Sequence, residues 1–579
     1  MNNRQFFIAL LVIMISCQSS QNDIDKTSIS DNIRINQIGY EVNSPKRFMV
    51  SNSKSGTFEI INESGNVEFE GDLVDRGIWE SSGESVKMGD FSTFNDPGTY
   101  RIYVSEEGIS YPFAIGMNLF LDAAIDGLKS FYLQRMTIDI DQKFAGVYQR
   151  PGGHPDTVCY YHESTGRNSG YKSSPGGWYD AGDYGKYIVN AGVSVGTMLA
   201  LNDINPHVFQ DGSLWMPESG NGKNDLLDEI KFELDWMKSM QDEDGGVFHK
   251  LTTKNFEGFV MPVDAVNDRF IIGKSTAATL DFAATMAMAA RLYKDFDSIF
   301  ASNCLEMATL AWNWAVSHPE EYYDKNPEDV STGAYNDVIL DEEFFWAAAE
   351  LYISTGDEKY YDSIKDNLSG MEFRVEESWR QYVDNIGYYS LLSPKSPLDA
   401  SDQKVIMGRL LVLADSLTGV IENNPYRVPV DHFKWGSNSD FLNAAVLFTV
   451  AHHYTGDHVY KESMYETLDY IFGKNATGYS FITGYGSKTP MHIHHRQSEA
   501  DGVLDPFPGF VVGGPNESRQ DQGSLKSAGK EYESLLPARS YIDEVESFAS
   551  NEICINWNAP YVFVLGYLAD TRDEKLIVE

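Results

Sequence analysis

Two aspartates three positions apart stand in the stretch Pro175-Gly176-Gly177-Trp178-Tyr179-Asp180-Ala181-Gly182-Asp183-Tyr184-Gly185-Lys186-Tyr187. A pair of carboxylates set among glycines and aromatic rings can hold one water molecule and draw a proton from it, the work of a general base. The glycines allow close backbone approach, and the rings, Tyr179 among them, offer flat faces on which a sugar can pack. The following run Tyr187-Ile188-Val189-Asn190-Ala191-Gly192-Val193 reads as the start of a helix, which places both acids at a loop-to-helix junction. A plainer reading makes Asp180 a helix cap and Asp183 a solvated turn residue.

The loop resembles the catalytic-base segment of glycoside hydrolase family 9, the inverting cellulase-like enzymes, in which a D-A-G-D stretch supplies the water-activating carboxylates. The resemblance implies Asp183 as base and Asp180 as its partner on the same water. Glycoside hydrolysis also needs an acid on the leaving oxygen, on the opposite side of the sugar ring, so a second carboxylate is expected from a distant stretch. Tyr541-Ile-Asp543-Glu544-Val-Glu546-Ser-Phe548-Ala-Ser-Asn551-Glu552-Ile-Cys554-Ile-Asn556-Trp557-Asn558-Ala559-Pro560 is similar to the family's acid segment. On that match Glu552 is the proton donor and Asp543 a second, positional acid. Cys554 stands where the family's motif usually has Ser, Thr or Ala. Without the resemblance, Glu552 reads equally well as a helix-capping acid. A Glu552 that stays protonated at neutral pH needs a raised pKa, which desolvation beside Trp557 or Tyr541 would supply.

A third cluster is Gly484-Tyr485-Gly486-Ser-Lys488-Thr-Pro490-Met-His492-Ile-His494-His495-Arg496. Three histidines this close invite a metal reading. The family resemblance reads the segment as a substrate site instead, with His494 and Arg496 bonding sugar hydroxyls and Arg496 orienting a carboxylate. Trp435 resembles a stacking platform of the family's subsites, although a lone Trp in a helical region is commonly core. Relatives carry structural calcium, and Asp337, Asp341, Glu342 and the more distant Asp384 lie where the ligands of one such site occur. Oxygen ligands suit calcium, while acidic first turns of helices explain the same letters. Some relatives bind zinc near residues 136–160, but Met136 and Gly153 replace the apparent cysteines and leave His154, so no zinc is expected. The chemistry itself requires no cofactor.

The elements that would position these groups fall into two zones. From Ile33 to Phe113, short β runs such as Arg47–Ser51 and Gly98–Val104 alternate with turn signals such as Asp96-Pro97-Gly98, as in a small all-β sandwich. Its opening Ile35-Asn36-Gln37-Ile38-Gly39-Tyr40 resembles the immunoglobulin-like module that precedes one branch of the family. A free-standing binding module is the alternative, but no cluster of exposed aromatics supports it. Beyond Phe113 the period becomes helical. Helices are expected over Asp225–Gln241, Lys274–Tyr293, Asp341–Ser354 and Asp440–Tyr454, two of them ending in Thr-Gly-Asp with Gly356 and Gly456 at the stop. The family's fold implies an all-α (α/α)6 barrel.

The domains expected are thus a lipoprotein signal peptide over 1–17, a polar tether over 18–32, the β-sandwich over 33–115 and the catalytic barrel over 116–579. The signal rests on Arg4, the apolar run Phe6–Ile15 and Ser16-Cys17, which resembles a bacterial lipobox and makes Cys17 the lipidated residue. An ordinary signal peptide cut elsewhere is the alternative. The remaining Cys159, Cys304 and Cys554 are too few and too scattered for a disulfide framework.

The 85 acidic against 45 basic residues leave a net charge of −40, which excludes a nucleic-acid partner. Neutral glycans are unaffected by that charge. The function expected is inverting endo-hydrolysis of a plant β-1,4-glucan such as xyloglucan, mixed-linkage glucan or cellulose. It would be carried out by an exported enzyme anchored through lipid to a bacterial outer membrane or cell surface. The alternatives are an exo-acting β-glucosidase or β-glucosaminidase on the same fold, and a non-catalytic glycan-binding lipoprotein. Oligomeric state is not legible in the sequence.

Overall fold

The computed structural model describes residues 27–368, 370, 372–376 and 382–569. The signal peptide with Cys17, and most of the tether, lie outside the described residues. The tether's end differs from expectation. Ile29 bridges Ile109, and the Ser30 amide donates to the Ile109 carbonyl at 2.9 Å, so residues 28–32 belong to the β domain. Polar composition concealed a contact made by backbone.

Alternating apolar residues build that domain. Phe48, Val50, Phe58, Ile60, Ile102 and Val104 are all buried and pack with Tyr40, Phe91 and Phe113 in one core. The strands form a continuous path: Ile33–Arg34, Arg47–Ser51, Glu84–Asp90, Val67–Trp79, Thr57–Asn62, Gly98–Val104, Phe113–Gly116 and Gly39–Glu41. The long strand Val67–Trp79 serves both halves, its first part pairing with Thr57–Ile61 and its second with Glu84–Gly89. A change of register at Asp75/Gly77 accompanies the crossing.

The β domain is fastened to the helical one by buried polar groups. Glu466 accepts from Arg47 at 2.7 Å and Arg427 at 2.6 Å, and also pairs with Lys474. Gln37 accepts from the Ser487 and Lys488 amides, each at 2.9 Å, and donates to the Gly478 carbonyl at 2.8 Å. Lys488 itself pairs with Asp31. The small domain therefore splints the loop that leads to His494.

The expected helices appear as Asp225–Ser239, Thr276–Leu292, Asp341–Thr355 and Ser437–Thr455, the last two stopping at Gly356 and Gly456 in left-handed conformation. Two classes are visible from burial. Ile188–Ile204, Thr276–Leu292, Ser437–Thr455 and Ile555–Leu568 are buried on nearly every side. Ser298–Ser317 and Ala400–Asn423 bury one face only. Ile188–Ile204 packs on Thr276–Leu292 and Ile555–Leu568, the latter in turn on Ser437–Thr455. No helix among the described residues is long and apolar enough to cross a membrane.

The helical domain is not purely α, which corrects that part of the expectation. It carries a five-stranded sheet in the order Tyr171–Lys172, Cys159–Tyr161, Arg269–Lys274, Phe248–Thr252, Lys186–Tyr187. Strands of two to six residues are too short for a period of two to stand out.

Candidate active site

The sheet's edge strand Lys186–Tyr187 fixes the loop of the two aspartates. Lys186 is fully buried, pairs with Asp156 at 2.9 Å and donates to the Ser174 and Gly176 carbonyls. Within the loop the Asp180 amide donates to the Gly185 carbonyl, turning the chain tightly. Gly182 is required sterically, because a Cβ there would lie 1.9 Å from the His494 carbonyl oxygen. Its bare backbone admits the Arg496 amide at 3.1 Å and guanidinium at 2.7 Å, both on the Gly182 carbonyl.

Three distant stretches meet here. Ala181 pairs antiparallel with Cys554, the Ile555 amide donates to the Asp180 carbonyl, and His494 pairs with Glu552. A cavity of about 550 Å³ opens over them, lined by Asp180, Asp183, Glu552, His494, Arg496 and Trp435. A helix-capping role for Asp180 or Glu552 is excluded by these positions.

Each aspartate has its own tyrosine. Tyr335 donates to Asp180 Oδ2 at 2.6 Å, and the Asn190 amide to Asp180 Oδ1 at 2.6 Å. Tyr187 donates to Asp183 Oδ2 at 2.9 Å, joined by the Gly185 amide at 3.2 Å. Burial and the charge of Asp183 push the Asp180 carboxyl well up, against the opposing bonds from Tyr335 and Asn190. Burial first, then Asp183, likewise holds Glu552 well above the ordinary carboxyl range, although Arg496 pulls the other way. Two of the three carboxyls lining the cavity, Asp180 and Glu552, are thus raised by burial, and each aspartate is tied to a phenol.

His494 is neutral, its pKa brought down to about 4 by burial and Arg496. Its Nδ1 donates to the Val545 carbonyl, which leaves Nε2 as an acceptor. Arg496 is held by the Glu257 carbonyl at 2.8 Å and lies near the rings of Phe256 and Phe259. Trp435 is 39% exposed in the cavity wall, with its ring centroid 5.3 Å from that of Phe548. Asp543 does not line the cavity. It accepts from the Met491 and His492 amides and from Asn551, so it orients the loop behind Glu552.

Tyr179 departs from expectation. It is wholly buried, bonded to His154 and packed against Tyr184, behind the wall and out of a sugar's reach. The histidine cluster does not converge either. His495 bonds Ser498 and Gln134 while His494 faces Val545.

The calcium set is also not assembled. Asp341 is exposed, Asp337 accepts from the Ile339 amide, and Glu342 pairs with Arg374 at 2.9 Å. Burial and Glu342 raise Asp384 to about 7. Among the described residues no three His, Cys, Asp or Glu side chains are placed to hold a metal ion. A guanidinium thus sits on the Glu342 carboxylate, these residues do not fit a calcium ion, and no step below passes through one.

Tyr187, Tyr335, Phe256, Phe548 and Trp557 line the cavity as well. Of these, Trp557 was expected beside Glu552, whereas the roles of Tyr187, Tyr335, Phe256 and Phe548 were missed, since single rings carry no spacing signal. Tyr187, four residues beyond Asp183, and Phe548, four before Glu552, were close enough in the chain to be found.

A family model described as glycosyl hydrolase family 9 matches residues 120–565, and one described as the cellulase N-terminal ig-like domain matches residues 29–108. The chain is 39% identical to a xyloglucan-specific endo-beta-1,4-glucanase of Bacteroides ovatus, over 97% of this chain and 98% of that protein. It is 32% identical to endoglucanase D of Acetivibrio thermocellus, over 92% of this chain and 83% of that one. A solved structure titled Bacteroides ovatus GH9 superposes with a TM-score of 0.86 at 38% identity, covering 93% of this chain and 99% of that chain.

Proposed function

The chain belongs to glycosyl hydrolase family 9, and on that premise we propose that Asp183 takes the proton from the attacking water while Glu552 protonates the leaving sugar oxygen. The enzyme is an endo-β-1,4-glucanase and inverts the anomeric centre. The observation that carries the residue assignment is the single cavity lined by Asp180, Asp183 and Glu552, brought together from opposite ends of the catalytic domain. Tyr335 and Asn190 fix Asp180, which orients the water. Asp183 carries out the proton transfer with Tyr187 on its second oxygen. Glu552, held protonated by burial and by Asp183, supplies the acid.

His494 Nε2 and Arg496 bind hydroxyls of the sugar next to the scissile bond, and Trp435 stacks on a sugar face further along. Xyloglucan is the proposed backbone, on the strength of the Bacteroides ovatus relative. The buried and one-sided helices fit an inner and an outer ring, and we infer that they close as an (α/α)6 barrel. Export and acylation at Cys17 follow from the lipobox-like sequence, and palmitate labelling that survives in the parent and vanishes in Cys17→Ala tests them.

Product length profiles on xyloglucan, mixed-linkage glucan and carboxymethylcellulose test the substrate. A ladder of oligosaccharides from xyloglucan, with a rapid fall in viscosity, is expected. Release of single sugars alone would contradict internal cleavage, and cleavage confined to unbranched glucans would contradict the xyloglucan assignment.

A further inference from the structure

One loop touches two cavities. The connection from Thr252 to Arg269, between the strands Phe248–Thr252 and Arg269–Lys274, contributes Phe256 to the catalytic cavity. The same loop contributes Val263, Val266 and Asn267 to a second cavity of about 390 Å³, whose other wall includes His154, Val158 and Tyr160.

The loop is fixed at both edges. Arg496 binds the Glu257 carbonyl on the catalytic side, and Tyr184 donates to the Val260 carbonyl at 2.6 Å. On the far side the backbone of Gly153 approaches so closely that a Cβ would lie 2.3 Å from the Pro262 carbonyl carbon. Asn267 is bonded back to Glu257 at 2.6 Å, so the two cavities share one rigid partition.

The second cavity has features that none of the roles above uses. Tyr160 and Tyr171 are direct partners on adjacent antiparallel strands, so their rings stand on one face. They are 40% and 62% exposed, and Val266 beside the cavity is 84% exposed. His154 is buried, and its Nε2 has no hydrogen-bond partner. Burial and the neighbouring Arg269 hold its imidazole neutral. Flat rings and an apolar rim beside a wall that also carries Asn267, Asp268 and the Asp156–Arg269 pair suit a neutral, ring-shaped ligand rich in hydroxyls. The chain's net charge of −40 argues against an acidic one.

We propose that this second cavity and the Tyr160/Tyr171 face bind a distal stretch of the same β-glucan chain that the catalytic cavity cuts. The inference rests on the β-glucanase reading, and the occupant follows from position: the loop that walls the catalytic cavity also walls this one, so a single long chain can meet both. The site holds long polymer on the enzyme and takes no part in bond cleavage.

The test uses full-length Glu552→Gln protein and the same protein with Tyr160→Ala and Tyr171→Ala, run in gels containing xyloglucan polymer. The active enzyme with and without the two tyrosine substitutions is then assayed on that polymer and on a short β-1,4-linked oligosaccharide derived from it. Loss of retention, with the polymer KM raised about 5-fold and kinetics on the short substrate unchanged, is expected. Val266→Asp, a surface change on the same rim, should act in the same direction. Unchanged retention in all variants would overturn the distal site, as would an equal loss on the short substrate. Failure of the unsubstituted enzyme to cut any β-glucan would instead strike the parent reading, and the retention assay would still judge the second cavity by itself.

Discussion

Tyr335 donates its hydroxyl to Asp180 at 2.6 Å from the loop that precedes the helix Asp341–Thr355, and there it also meets Cys554 at 3.6 Å. Asp180 is thereby held between that phenol and the Asn190 amide, with Cys554 Sγ 4.0 Å away. The water-orienting carboxyl is fixed by side chains from three separate segments, so its aim does not depend on the Asp180–Asp183 loop alone.

Tyr335→Phe should lower kcat about 10-fold, the effect of one charge-assisted hydrogen bond, with little change in KM. The bond favours ionised Asp180, so its loss raises the Asp180 pKa further, and the acid limb of the kcat profile moves to higher pH. A KM change without a shift of that limb would assign Tyr335 to substrate binding instead.

The alkaline limb reports Glu552. The acid must be protonated, so activity falls as pH rises through its elevated pKa. Arg496 opposes that elevation, and Arg496→Gln should therefore move the alkaline limb upward while lowering kcat/KM. A limb that shifts downward or stays in place would contradict the coupling.

Trp435→Ala removes a half-exposed ring from the cavity wall. KM on polymer should rise about 5- to 10-fold, the scale of one stacking contact, with kcat held within about 2-fold. Initial-rate kinetics over a range of polymer concentrations decide it. Equal KM values would return Trp435 to a packing role.

Domain attachment should be acid-sensitive. Burial would raise Glu466, but Lys474, Arg427 and Arg47 outweigh it and bring the pKa down to about 2. A lowered folded pKa stabilises above the unfolded value of about 4.5, and that contribution, about 3 kcal/mol, is lost as pH falls from there towards 2. Asp469, raised to about 7 mainly by burial, acts oppositely and costs stability as pH rises from about 4 to 7. Thermal melts from pH 3 to 7 should fall steeply at the acid end, and Glu466→Gln should flatten that fall while lowering the neutral melting temperature. Parallel curves for the two proteins would contradict the assignment.

Much of this arrangement was legible in the sequence where a residue's neighbours in the chain are also its neighbours in space. The Asp180-x-x-Asp183 loop, the helix that follows it and the Gly356 and Gly456 stops all carry their geometry locally. Glu552 required a family motif, because nothing nearby in sequence reports that Cys554 lies against Ala181. Tyr179 misled because an aromatic ring in a catalytic loop can face either way, and here His154 and Tyr184 turn it inward. The calcium set misled because the letters do not reveal Arg374, which takes Glu342. The short strands of the helical domain and the Phe256 loop were illegible for want of any period.

The central claim, that Asp183 and Glu552 divide the two proton transfers across one sugar ring, is tested most directly by proton NMR of the nascent anomer during xyloglucan hydrolysis, with Asp183→Asn and Glu552→Gln alongside. The account predicts α-configured reducing ends at first appearance from the unsubstituted enzyme. It also predicts a loss of about 10²- to 10⁴-fold or more in each variant while both stay folded. Initial β products, or a folded variant with near-normal turnover, would contradict it.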